Sequence, residues 1–328
     1  MKFRAYVSEE VENGKYIRSI KEKNIEELPQ NDLLINVKYS TLNYKDALSA
    51  RGHRGVSRYY PHTPGIDAAG IVVESKSPKF KSGDEVVVTG YDLGMNTAGG
   101  FAEYISVPAG WAVNKHPNLT LKECMIYGSA GITAALCVNE FEKHNINIDS
   151  GNILVTGATG GVGSMSVGIL SKIGYNVIAA SGKKDKYEYL YNLGAKTIIS
   201  REDVFDTTDK PLLPKKWIGA IDNVGGNTLS TIFRSTDNRG IVCVVGLVES
   251  ENLNINLFPF IMRGVSLIGI DSAERPIELK EKLWEKLAKE WKFDYFDKLH
   301  KEVSLDDLDI EINKMLNGEQ SGKIIVKI

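Results

Sequence analysis

The stretch Ile153-Leu154-Val155-Thr156-Gly157-Ala158-Thr159-Gly160-Gly161-Val162-Gly163 decides the fold. Its first residues are an apolar run of strand type. A glycine-rich turn follows and opens a small, apolar stretch from Met165 to Ile173. Strand, tight turn and helix in that order are what a dinucleotide pyrophosphate needs. The backbone must come close to the phosphates, and the helix N-terminus must offer N–H groups to them. Against Gly-x-Gly-x-x-Gly the aligned residues are Ala158, Gly160 and Gly163, so alanine replaces the first glycine, with Gly157 just before it. Thr159, Gly160, Gly161, Val162 and Gly163 are the expected phosphate-binding positions, and the expected chemistry is redox.

The next strand selects the dinucleotide. An NAD-preferring fold carries Asp or Glu about 20 residues past the turn, to accept bonds from the ribose 2′-OH. Here the strand ends Ala179-Ala180-Ser181-Gly182-Lys183-Lys184, with no carboxylate until Asp185. A carboxylate would repel a 2′-phosphate, whereas a hydroxyl and ammonium groups would bind it. The expected cofactor is NADPH, with Ser181, Gly182 and Lys183 at the 2′-phosphate and Lys184 as the alternate.

Working outward, residues 124–271 alternate strand and helix. Ile153–Thr156, Asn176–Ala180, Thr197–Ile199, Ile218–Asp222, Ile241–Val245 and Ser266–Ile270 are six strand candidates. That rhythm predicts a doubly wound parallel sheet of Rossmann type, preceded by a helix from Leu121 to about His144. Residues 1–123 read instead as short strands and turns, including Leu33–Val37, Gly70–Glu74 and Glu85–Val88, and predict a mostly β, barrel-like domain. The tail, 272–328, holds helices at Pro276–Trp291 and Asp306–Leu316. Its last strand, Lys323–Ile328, has no place in the parallel sheet and is expected to return to the first domain. The fold class is α/β with two domains, 1–123 with 272–328, and 124–271.

Composition excludes several classes. Lys and Arg number 40 against 42 Asp and Glu, a net charge of −2, which gives no footprint for nucleic acid. No run of 18 apolar residues occurs, so no membrane span is expected. Cys124, Cys137 and Cys243 make an odd, sparse set with no Cys-x-x-Cys, which suits a reducing cytoplasm. The five histidines lack metal-ligand spacing, so no metal is expected.

Four ordered motifs accompany the turn: Thr41-Leu42-Asn43-Tyr44-Lys45-Asp46, Thr63-Pro64-Gly65-Ile66-Asp67-Ala68-Ala69-Gly70, Gly99-Gly100-Phe101-Ala102-Glu103-Tyr104 and Gly128-Ser129-Ala130-Gly131-Ile132-Thr133-Ala134-Ala135. Together they resemble the medium-chain dehydrogenase/reductase superfamily, on its zinc-free quinone-oxidoreductase branch. Asn-Tyr-Lys-Asp with Gly-Ala-Thr-Gly-Gly-Val-Gly and Ser-Gly-Lys is similar to the acrylyl-CoA reductase subgroup. The resemblance runs from Phe3 to Ile328 and implies a GroES-like catalytic domain beside the Rossmann domain. Zinc-dependent relatives carry a Cys near the first motif and Gly-His-Glu in the second. Here those regions read Asn43-Tyr44 and Gly65-Ile66-Asp67, and the four-cysteine loop is missing.

Without a metal, the resemblance implies hydride addition to a carbon polarised by conjugation. Charge then builds on the carbonyl oxygen, where a hydrogen-bond donor must meet it. Tyr44, implied to lie near the nicotinamide, is the first catalytic candidate, and Asn43 shares the polar work. Asp67 is expected to be structural, and Lys45 and Asp46 to pair on a helix start. Thr133, Asn223, Leu247 and Ser272 are implied on the cofactor, and Arg201 either stacks on the adenine face or is a plain surface arginine. Lys323 reaches back to the cofactor or is an exposed strand residue. Arg51, Arg54 and Arg58 crowd one loop and are candidates for the phosphates of a coenzyme A ester. The expected reaction is therefore NADPH-dependent reduction of acrylyl-CoA to propionyl-CoA, with a quinone or enone as alternative acceptor. A non-catalytic NADPH-binding sensor is the alternative of another class. A homodimer pairing the sixth strands, Val265–Ile270, is implied by resemblance.

Overall fold

The computed structural model describes residues 1–328, apart from the side chains of Asn13 and Asp297. By contacts the chain forms two compact units, residues 1–129 with 273–288 and 297–328, and residues 130–272 with 289–296.

The first unit begins with a hairpin of β1 (Lys2–Glu10) and β2 (Tyr16–Asn24). β3 (Leu33–Leu42), α1 (Tyr44–Ala50), β4 (Asp67–Ser75), β5 (Glu85–Thr89), β6 (Tyr104–Val107) and β7 (Ala112–Asn114) follow. Inward positions alternate along these strands, and Leu33, Ile35, Val37, Val72, Val86 and Ile105 close one core. β3 is longer than its apolar run suggests because Tyr39–Leu42 have a partner from the far end of the chain.

α2 (Leu121–Lys143) is bent at Gly128, whose φ is 50° and ψ is −156°. By length and composition it is the one helix among the described residues apolar enough to cross a membrane. Its apolar window is 78% buried inside the molecule, so it serves as a core helix.

The second unit is a six-stranded parallel sheet. Its strands are β8 (Asn152–Val155), β9 (Asn176–Ala180), β10 (Thr197–Ile199), β11 (Trp217–Asp222), β12 (Thr236–Val244) and β13 (Ser266–Gly269). Their order is β10-β9-β8-β11-β12-β13, doubly wound with the switch between β8 and β11. The connecting helices are α3 (Gly161–Ile173), α4 (Tyr187–Asn192), α5 (Gly226–Ser235) and α6 (Phe258–Arg263). β8 is apolar and buried on both faces, as a central parallel strand must be.

After the sheet come α7 (Ile277–Ala288), β14 (His300–Ser304), α8 (Leu308–Leu316) and β15 (Lys323–Lys327). β15 lies between β14 and β3 in the seven-stranded sheet of the first unit, where the last strand was expected to return. The expected long helix to Trp291 stops at Ala288. The chain then packs with the second unit, the Phe293 ring lying against Gly168 of α3.

Candidate functional site

In the first unit, Asn43 ends β3 and caps α1. Its backbone N–H donates to Asp46 Oδ2 at 2.8 Å, the carboxylate half of a capping box, and its Nδ2 donates to the same oxygen at 3.2 Å. Such a cap contributes about 1 kcal/mol and fixes Tyr44 as the first residue of the helix. Tyr44 points outward and is 57% exposed.

Behind this exposed tyrosine lies a buried charge cluster. Asp46 turns inward, where Oδ1 accepts the Ile66 N–H at 2.8 Å, instead of pairing with Lys45 as expected. Asp67 accepts from the Ser129 hydroxyl at 2.6 Å, from the Ser129 N–H at 3.0 and 3.1 Å, and from Asn43 Nδ2 at 2.8 Å. Lys323 of β15 is 2% exposed and donates Nζ to Asn43 Oδ1 at 3.2 Å. It is not an exposed strand residue. Burial pulls the Lys323 ammonium down, and Asp67 and Asp46 oppose that shift. Burial and the neighbouring Asp67 push Asp46 up to about 7. Asn43 is thus engaged on both atoms of its amide, and both oxygens of Asp67 accept hydrogen bonds.

Gly128 belongs to the same cluster. A Cβ there would lie 2.7 Å from Thr41 Cγ2 and 2.8 Å from Asp67 Oδ2. The bend in α2, with its positive φ, therefore lets Asp67 cap the helix that restarts at Ser129.

In the second unit, the turn 157–163 has the geometry read from its glycines. Gly160 is the N-cap of α3, with extended backbone. A Cβ on Gly163 would stand 2.3 Å from the carbonyl oxygen of Gly157 and 2.8 Å from Ala158 Cα, so helix and turn touch through backbone. The N–H groups of Gly161, Val162 and Gly163 have no acceptor within the helix by position. Thr159 is buried, while Gly160 is exposed. This close, donor-rich turn fits a dinucleotide pyrophosphate.

Two residues missed in the sequence hold this turn. Thr156 Oγ1 donates to Asp222 Oδ1 at 2.5 Å, which ties the end of β8 to the end of β11. Asp222 also accepts the Gly225 N–H at 2.7 Å, and burial pushes its carboxyl up to about 6. Asn223 donates Nδ2 to the Thr156 carbonyl at 2.8 Å. A polar residue closing each of two apolar strands was the available signal. At the end of β9, Ser181 is buried and its Oγ accepts the Lys183 N–H at 3.1 Å. Thr133 donates to Ser272 Oγ at 2.8 Å, Leu247 is exposed, and Arg201 lies beside Gly182.

The arginine loop of the first unit is partly committed. Arg54 pairs with Glu10, donates to the Arg58 carbonyl at 2.5 Å and lies over the Tyr60 ring. Arg51 and Arg58 are exposed.

A two-unit molecule with a β-rich unit, a doubly wound parallel sheet and this turn is a nucleotide-dependent dehydrogenase or reductase by class. The chain belongs to the medium-chain dehydrogenase/reductase superfamily, among its quinone-oxidoreductase and acrylyl-CoA-reductase-like members, and it is an oxidoreductase. Residues 29–117 match the alcohol dehydrogenase GroES-like domain, and residues 161–289 match the zinc-binding dehydrogenase family. YhfP of Bacillus subtilis, whose name places it provisionally among quinone oxidoreductases, is 43% identical over 94% of each chain. The acrylyl-CoA reductase AcuI of Ruegeria pomeroyi is 36% identical over 98% of each chain. The YhdH oxidoreductase of Salmonella enterica, solved in complex with NADP, superimposes with a TM-score of 0.96 at 37% identity, covering 99% of each chain.

The family description names zinc, and the residues here do not fit it. Among the described residues no group of three or more His, Cys, Asp or Glu is placed to hold a metal ion. Asp67, where the resemblance puts the glutamate of zinc-dependent relatives, is taken up by Ser129 and Asn43.

Proposed function

We propose that this chain is an NADPH-dependent, zinc-independent reductase of α,β-unsaturated carbonyls, with acrylyl-CoA, reduced to propionyl-CoA, as the preferred acceptor. The observation that carries the cofactor reading is the end of β9. A buried Ser181 hydroxyl sits in a turn with Lys183, and no carboxylate stands before Asp185. The NADP-bound Salmonella relative supports it.

Bound NADPH supplies hydride to the β-carbon of the acceptor. Thr159–Gly163 hold the pyrophosphate through backbone N–H groups and the positive end of α3. Ser181, Gly182 and Lys183 hold the 2′-phosphate. Thr133, Asn223, Leu247, Ser272 and Lys323 are assigned to the rest of the cofactor. Tyr44 donates its hydroxyl to the acceptor's carbonyl oxygen as negative charge grows there. Asn43, engaged by Asp46, Asp67 and Lys323, positions Tyr44 by capping α1.

The acceptor reading is supported by the Ruegeria relative and by the exposed Arg51 and Arg58, which suit coenzyme A phosphates. A quinone or simple enone is the second reading, favoured by the pairing of Arg54 with Glu10, which removes one of three candidate arginines. NADPH consumption with acrylyl-CoA, a small enone and a quinone separates the two. The thioester should turn over at least about tenfold faster in kcat/KM, a difference of about 1.4 kcal/mol. No preference for the thioester would discard it.

We also infer a homodimer in the cytoplasm. Leu257, Phe258, Ile261 and Met262 are exposed together around α6, near the edge strand β13. An apolar patch beside an open strand edge suits a second copy. Sedimentation analysis should give twice the 36.2 kDa chain mass.

A further inference from the structure

The position of Arg201 depends on a residue that has no side chain. β9 and β10 are parallel neighbours, with Ile199 beside Ala180, and the Ser181 N–H donates to the Ile199 carbonyl at 3.1 Å. The residues just beyond these strand ends therefore lie side by side. Ser181-Gly182-Lys183 follow one strand, and Ser200-Arg201 follow the other.

The Arg201 guanidinium rests on Gly182. A Cβ at Gly182 would lie 2.5 Å from Arg201 Nε, 2.7 Å from Cζ and 2.8 Å from Nη2, and these are its three nearest atoms. Gly182 is outside the left-handed region of backbone, so its φ does not call for glycine. The space it leaves is used by the guanidinium. Neighbouring carboxylates do little to divert that cation. Asp185 stands 3.7 Å from Lys186, and Glu202 is 3.5 Å from Arg201 Nε in an exposed pair of little worth.

We propose that Gly182 is a specificity-determining position that acts through Arg201. Its bare Cα seats the guanidinium beside Ser181 and Lys183, where it binds the 2′-phosphate through charge-assisted, bidentate bonds. Arg201 then reads the phosphate rather than the adenine face. This rests on the NADPH reading above. Gly182→Ala leaves the fold intact, because only the far end of an exposed, flexible side chain must move. It displaces the guanidinium and so reproduces the loss caused by Arg201→Ala.

The test is fluorescence titration with NADPH and with NADH, no acceptor present, on the wild type, Gly182→Ala, Arg201→Ala and the double variant. Each single variant should weaken NADPH about tenfold, as expected for one lost charge-assisted contact, and leave NADH within about twofold. The double variant should be no weaker than Arg201→Ala, because the two residues act as one unit. Unchanged melting temperatures verify the fold. Equal losses for both dinucleotides in Arg201→Ala would put Arg201 on the adenine and overturn the proposal. An unaffected Gly182→Ala, or additive losses in the double variant, would overturn it as well and leave the NADPH reading standing. A wild type that binds NADH as tightly as NADPH overturns that reading and this inference with it.

Discussion

Lys323 donates its buried ammonium to Oδ1 of Asn43 at 3.2 Å, across 280 residues of sequence. The bond turns a helix cap into part of a charge cluster. Asn43 fixes the start of α1 through its backbone N–H, which donates to Asp46, while its amide nitrogen donates to Asp46 and Asp67 and its amide oxygen accepts from Lys323. Tyr44, next in sequence, inherits its position from both.

If Tyr44 meets the charge on the acceptor oxygen, its hydroxyl matters to the chemical step alone. Tyr44→Phe should lower kcat by about 10²-fold, the scale of a lost oxyanion donor. NADPH affinity should stay within about twofold, and the unfolding midpoint should hold, since the side chain is exposed. Steady-state kinetics beside cofactor titration checks this. A variant with undiminished kcat would remove Tyr44 from the reaction.

Asp67 holds Ser129 and Asn43 together and faces Lys323. Asp67→Ala strips these donors of their acceptor and leaves a buried ammonium less compensated. Unfolding by urea should show a loss of about 3 kcal/mol, typical when one member of a buried charged set is removed. A loss under about 0.5 kcal/mol, the size of an ordinary surface substitution, would contradict this account.

Gly163 touches the turn through backbone, which cannot swing aside as a side chain can. Gly163→Ala should force α3 away from Gly157. The expected cost is about 1–3 kcal/mol, the range for overpacking, with NADPH and NADH weakened alike. Calorimetric titration with both dinucleotides tests this, and a loss confined to one of them would count against it.

Asp46 gives the stability a pH signature. Its carboxyl is pushed up to about 7, against 3.8 as the ordinary value. Between those values the native state holds a proton that the unfolded chain has released. The Asp46 contribution is therefore complete below about pH 4 and is lost as pH rises through about 7. Urea unfolding of the wild type and Asp46→Asn across this range should show the wild type losing ground as pH rises. A wild type that gains on the variant in that window would refute the assignment.

The second unit was legible because its information is local. Six apolar strands at even spacing, with a turn that only glycine can make, define a parallel sheet without help from distant residues. Asn176–Ala180 and Thr197–Ile199 match their expected ends, while β12 starts five residues earlier than Ile241. The cluster in the first unit was not legible, because each member answers a residue far along the chain. Nothing near Asp46 announces that it faces inward, and its neighbour Lys45 suggested a surface pair. Glu10 gives no sign in the sequence that it will take Arg54. The bend at Gly128 is likewise set by Asp67, which occupies the space a side chain would need.

β15 has a consequence for the order in which the molecule can be made. The strands of the parallel sheet lie within residues 152–269 and can pair as soon as that segment leaves the ribosome. The seven-stranded sheet must wait, because β15 fits between β14 and β3, and Thr41 donates to the carbonyl of Ile324, 283 residues later. Until then the end of β3 from Tyr39 to Leu42 is an open template for any extended segment. Translation that stalls before Lys323 would release a chain with a finished nucleotide unit, an adhesive strand edge and no cation for Asn43.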